Sequence, residues 1–124
     1  MSKKILLIED HPEMRHVIAR SLRNLGYDLL EAEDGQTGVR LALAENPDLV
    51  LLNLSLPGLS GIEVARKIKE NFKTSHIPII ACSGWQDKKM VRESLEAGMV
   101  EYLSKPFTAR KLAAVIKRHV GSNN

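Results

Sequence analysis

Five short apolar runs alternate with amphipathic stretches along the chain: Ile5 to Ile8, Tyr27 to Leu30, Leu49 to Leu52, Ile77 to Cys82 and Val100 to Leu103. Three of them are continuously apolar, the pattern of strands covered on both faces. Between the runs, Met14, Val17, Ile18, Leu22 and Leu25 form a stripe at helical spacing, and Ile62, Ala65, Ile68 and Phe72 form another. Leu112, Val115 and Ile116 mark a last helix. Punctuation agrees: Pro12 suits a first helical turn, Ser60 to Glu63 reads as a capping box, and Gly26, Gly98 and Gly121 stand where helices stop. The stretch from Asp34 to Glu45 has the least support as a helix, because Gly35 and Gly38 lower its propensity.

Five strands alternating with five helices predict an α/β domain: a doubly wound (βα)5, flavodoxin-like three-layer sandwich on a parallel sheet. Asp28 and Glu101 make the second and fifth runs the most polar, which places them at the edges and the first, third and fourth in the middle. The order 2-1-3-4-5 satisfies this. A length of 124 residues predicts one domain, with a core over about 3–120 and a loose tail from Gly121 to Asn124.

Composition narrows the classes. An apolar fraction of 44% supplies a core without a metal or disulfide staple. The lone Cys82 permits no intrachain disulfide and fits a reducing cytoplasm. No apolar stretch approaches the roughly 20 residues of a membrane span, and the start of the chain does not read as a signal peptide. A formal charge of +3, with basic residues scattered among acids and few aromatics, argues against direct nucleic-acid binding.

In an open parallel sheet, chemistry gathers at the carboxyl ends of the strands, beside the point where the winding reverses. Here the first strand leads into Glu9-Asp10, the third ends at Asn53, the fourth at Ser83, and the fifth is followed by Lys105-Pro106. Charged and polar groups from four separated places would meet around one crevice.

These pieces resemble the receiver domain of bacterial response regulators over nearly the whole chain. The residues that carry the resemblance are Glu9-Asp10, the stretch from Asp48 to Gly61 (DLVLLNLSLPGLSG), Ile77 to Gly84 (IPIIACSG) and Gly98 to Phe107 (GMVEYLSKPF). The resemblance implies a divalent metal, usually magnesium, held by Asp10, by the residue at 53 and by the backbone carbonyl of Ser55, with Glu9 acting largely through water. It implies that Lys105 pairs with phosphoryl oxygen, that the Ser83 hydroxyl moves to meet it, and that Tyr102 reports the event. It also implies a cis bond before Pro106. The partners implied are a histidine kinase or phosphotransfer protein and a downstream effector, and the face bearing Lys88, Lys89, Arg92, Tyr102 and Lys111 is the expected contact surface.

One residue departs from the family, which has an aspartate where this chain has Asn53. An amide is a poor nucleophile toward phosphorus, so no aspartyl phosphate is expected there. With one anionic ligand missing, magnesium should bind more weakly, while repulsion in the metal-free crevice is eased. Two origins of the asparagine stay open: a receiver that works by binding alone, or an ordinary phosphorylatable receiver carrying an engineered substitution.

Duller readings exist for each residue singly. Glu9 and Asp10 could be acids preceding a helix, Ser83 a cap, Lys105 a solvated charge, Tyr102 edge packing, and Trp85 local packing or a partner anchor. The four histidines read as non-ligands. A flavodoxin would need a hydroxyl- and glycine-rich phosphate loop where this chain has Glu9-Asp10-His11-Pro12. A doubly wound phosphatase would need a second aspartate where Pro12 stands. Neither fits, and no independent enzyme is expected.

Overall fold

The computed structural model of the chain describes residues 2–84 and 88–121. Trp85, singled out above, lies outside the described residues, as does the tail beyond Gly121. The elements run β1 (Lys4–Ile8), α1 (Pro12–Asn24), β2 (Asp28–Ala32), α2 (Gly35–Glu45), β3 (Leu49–Asn53), α3 (Gly61–Glu70), β4 (Ile79–Ser83), α4 (Lys88–Glu96), β5 (Glu101–Ser104) and α5 (Ala109–Val120). The five strands are parallel, in the order β2-β1-β3-β4-β5. The expected strand order and edge positions are those observed.

Successive strand residues point to opposite faces, which divides the core in two. Leu6, Ile8, Val50, Leu52, Ile79 and Ala81 pack with Ala42 of α2 and with Val64, Ala65 and Ile68 of α3. Ile5, Leu7, Leu49, Leu51, Ile80 and Cys82 face the other way, against Ile18 and Leu22 of α1 and Leu112, Val115 and Ile116 of α5. All five residues of β3 and all five of β4 are buried, which explains their unbroken apolar runs.

Local details depart from the sequence pattern for identifiable reasons. β4 starts at Ile79, because Pro78 has no N–H for the ladder, although its carbonyl still accepts from Val50 at 3.0 Å. Tyr27 lies in the turn between α1 and β2 rather than in β2, its N–H bonding the Leu22 carbonyl at 3.2 Å. α3 closes at Glu70 with Asn71 as its C-cap, so Phe72 falls beyond the helix and is 85% exposed. The buried side of α3 carries Val64 with Ala65 and Ile68. Val17 is likewise on the outer side of α1, 60% exposed, and the buried stripe runs through Ile18, Ala19 and Leu22.

The glycines that weakened the pattern of α2 turn out to be what lets the helix dock. A Cβ on Gly35 would lie 2.7 Å from Val64 Cγ2, and one on Gly38 would collide with the Ile8 side chain. Asp34 caps the helix, accepting from the Thr37 N–H at 2.7 Å. Those hydrogen bonds hold its carboxyl below the usual range.

Candidate functional site

The carboxyl ends of β1, β3, β4 and β5 bring Glu9, Asp10, Asn53, Ser83 and Lys105 to one end of the sheet. An open crevice of about 390 Å3 is lined by Glu9, Asp10, Asn53, Ser55 and Lys105, with Met14 beside them. Glu9, Asn53 and Ser83 are buried, whereas Asp10 is half-buried and Ser55 exposed.

Asn53 is the hub. Its Nδ2 donates to Glu9 Oε2 at 2.9 Å, to Asp10 Oδ1 at 3.0 Å and to the Ser55 carbonyl at 3.2 Å. Its Oδ1 accepts from the Ser55 N–H at 3.2 Å. The surroundings dictate this orientation of the amide. Turned over, the carbonyl oxygen would face two carboxylates and a carbonyl, and the NH2 group would face an N–H.

Glu9 receives the remaining cation. Lys105 Nζ lies 2.6 Å from Glu9 Oε1, with the two side chains 15% and 2% exposed. Short charge-assisted contacts of this kind are the strong ones. The His11 N–H also donates to Glu9 Oε2 at 3.2 Å, and Arg15 donates to the Glu9 carbonyl at 3.0 Å. Among the described residues no buried side-chain nitrogen or oxygen lacks a partner. The Lys105-Pro106 bond is cis, as expected.

Ser83 and Tyr102 converge on a residue that the sequence did not flag. The Ser83 hydroxyl lies 3.8 Å from Met90 Sδ and the Tyr102 hydroxyl 3.9 Å from the same sulfur. Met90 shows in the sequence only as an apolar position of the helix after β4, and nothing in its spacing marks it as a bridge. Of the histidines, His11 Nδ1 caps α1 by accepting from the Met14 N–H at 3.4 Å, and His119 pairs with Glu101 at 2.7 Å. Among the described residues no three His, Cys, Asp or Glu side chains cluster as metal ligands.

Glu9 Oε2, Asp10 Oδ1 and the Ser55 carbonyl are hard oxygen donors of the sort magnesium takes. Their common point is held by Asn53 Nδ2. With the amide so placed, Nδ2 has to leave that point before a cation takes it.

Residues 5–117 match the response regulator receiver domain family, and the chain belongs to it. Receivers of this family are the input modules of two-component signalling. The chain is 41% identical over 119 residues to the phosphate regulon transcriptional regulatory protein PhoB of Pseudomonas aeruginosa, covering 94% of this chain and 51% of that protein. It is 38% identical over 113 residues to Histidine kinase P4 of Formosa agariphila, covering 91% of this chain and 8% of that one. The chain thus spans about half the length of the first relative and under a tenth of the second. Among solved structures it is similar to the receiver domain of a sensor histidine kinase from Pseudomonas aeruginosa, with a TM-score of 0.92 and 35% identity over 98% of this chain and 100% of that one. That crystal structure has a magnesium ion coordinated in the active site cleft. A Vibrio cholerae chemotaxis protein shares the fold, with a TM-score of 0.92 at 21% identity over 96% of this chain and 99% of that one.

Proposed function

We propose that this chain is a receiver module that signals by binding, with Asn53 standing at the phosphoacceptor position and taking no phosphoryl group. The reading rests on the residue that ends β3: the group at the centre of the crevice is an amide, neutral and weakly nucleophilic. Glu9, Asp10, Asn53 and the Ser55 backbone correspond to the magnesium set of the family, and losing one anionic ligand weakens that ion's hold. Ser83 and Tyr102 take the switch positions. If the asparagine is engineered, the absence of a phosphoryl group at 53 still describes this chain, while its parent is an ordinary phosphorylatable receiver.

With no covalent switch, a change of state has to come from differential binding. Moving a population from 1:99 to 99:1 takes about 5.5 kcal/mol of preference for one state. The partners proposed are a histidine kinase or phosphotransfer protein and an effector protein. The proposed surface is the face with exposed Lys88, Lys89, Arg92 and Lys111 beside half-buried Tyr102. No helix of the described residues is long and apolar enough to cross a membrane.

Acetyl phosphate with magnesium tests the reading directly. The Asn53→Asp variant is expected to gain one base-labile phosphoryl group, while the unmodified protein gains none. Base-labile phosphorylation of the Asn53 protein would refute the proposal and point to another carboxylate, Asp10 first.

A further inference from the structure

We infer that the Asn53 amide stands in for the divalent cation, holding the acidic crevice assembled without metal. The inference rests on the reading above and concerns how the same site is regulated. One nitrogen, Nδ2, lies within 3.2 Å of two carboxylates and a carbonyl. These are the oxygens that would otherwise converge on a metal. Each is an acceptor only, and in a metal-free crevice with an acid at 53 they would lose the one donor they share. The amide supplies two N–H groups to the two carboxylates, and the longer contact to Ser55 O shares one of them.

The surrounding bonds fix the group in that role. Ser55 N–H holds Oδ1 from the opposite side, so the same loop that contributes the third oxygen also orients the amide. Lys105 pairs with Glu9, and the neutral amide at 53 offers it no charge to pair with. Glu9 and Asp10 carry two negative charges, and Lys105 returns one positive charge against Glu9. The result is a receiver crevice in its assembled arrangement, insensitive to the cation that a receiver with an acid at 53 would bind there.

Melting curves in chelator and in millimolar magnesium test this without any phosphorylation step. The unmodified protein is expected to melt within about 1 °C of the same temperature in both. The Asn53→Asp variant should melt lower in chelator and recover by about 5 °C or more on adding magnesium. Asn53→Ala, which removes the tie and supplies no ligand, should melt lower than the unmodified protein in both, with no recovery. A second measurement needs no variant: the Asn53 side-chain amide protons should exchange slowly and keep their NMR shifts when magnesium is added. A magnesium-dependent rise in melting temperature of the unmodified protein matching that of Asn53→Asp would overturn the inference. So would an Asn53→Ala variant as stable as the parent in chelator, or amide protons that move on adding the ion. Failure of the phosphorylation test with magnesium-independent melting intact would overturn only the proposed function.

Discussion

Replacing Lys105 with methionine removes the charge from the crevice while keeping most of the aliphatic stem. In the folded protein Lys105 Nζ sits 2.6 Å from Glu9 Oε1, and the Glu9 side chain is 2% exposed. Removing one partner of a buried pair costs about 3–5 kcal/mol, since the other charge stays buried without compensation. Glu9 keeps two donors, Asn53 Nδ2 and the His11 N–H, so the lower end applies, about 3 kcal/mol. For a chain of this size each kcal/mol moves the melting temperature by roughly 3–5 °C, which gives a fall of about 9–15 °C. Thermal denaturation followed by circular dichroism reads this out. The control is the double variant Glu9→Gln with Lys105→Met. It should recover most of the loss, because the amide retains an acceptor and a donor and leaves no buried charge. A fall of less than about 3 °C for Lys105→Met alone would show that the pair contributes no more than a surface salt bridge. A double variant as unstable as the single one would locate the damage in lost packing rather than in charge.

Two further outcomes follow from packing. Gly61→Ala should cost about 1–3 kcal/mol in chemical denaturation, because its Cβ would sit 2.6 Å from Leu54 Cα and 2.9 Å from the Asn53 carbonyl oxygen. The strain would fall on the backbone that carries the hub of the site. Burial, with Glu9 adding to it and Lys105 opposing it, pushes the Cys82 thiol from its ordinary 9.0 up to about 12. Its folded value lies above the unfolded one, so the stability contributed by the neutral thiol is present below about pH 9 and is lost as pH rises toward 12. At pH 8 Cys82 should therefore resist alkylation in the native protein and react fully in denaturant. Rapid modification of the folded chain would contradict the burial.

Much of the fold was legible in the sequence because the information is local. Unbroken apolar runs mark β1, β3 and β4 as covered on both faces, and Asp28 and Glu101 mark the two edge strands, so the strand order followed. The capping box of α3 shows in two residues three apart and the start of α1 in Pro12 itself, and both are present. The misplaced residues lay where local pattern does not decide. Phe72 continued a helical period past the point where Asn71 closed the helix, and Gly35 and Gly38 looked like weaknesses until Val64 and Ile8 were packed against them.

The membership of the site was likewise determined by the sequence: two acids, an amide, a hydroxyl and a lysine at the carboxyl ends of four strands. Tertiary structure alone decided their bonds. The Asn53 contact to Glu9 joins residues 44 apart in the chain, and the Lys105 contact spans 96. Hydrogen bonds and ion pairs change strength over a few tenths of an ångström, whereas hydrophobic periodicity specifies only which face a residue takes. Which way the Asn53 amide turns, which acid Lys105 chooses, and that Met90 lies between Ser83 and Tyr102 are set by how separate elements close on one another.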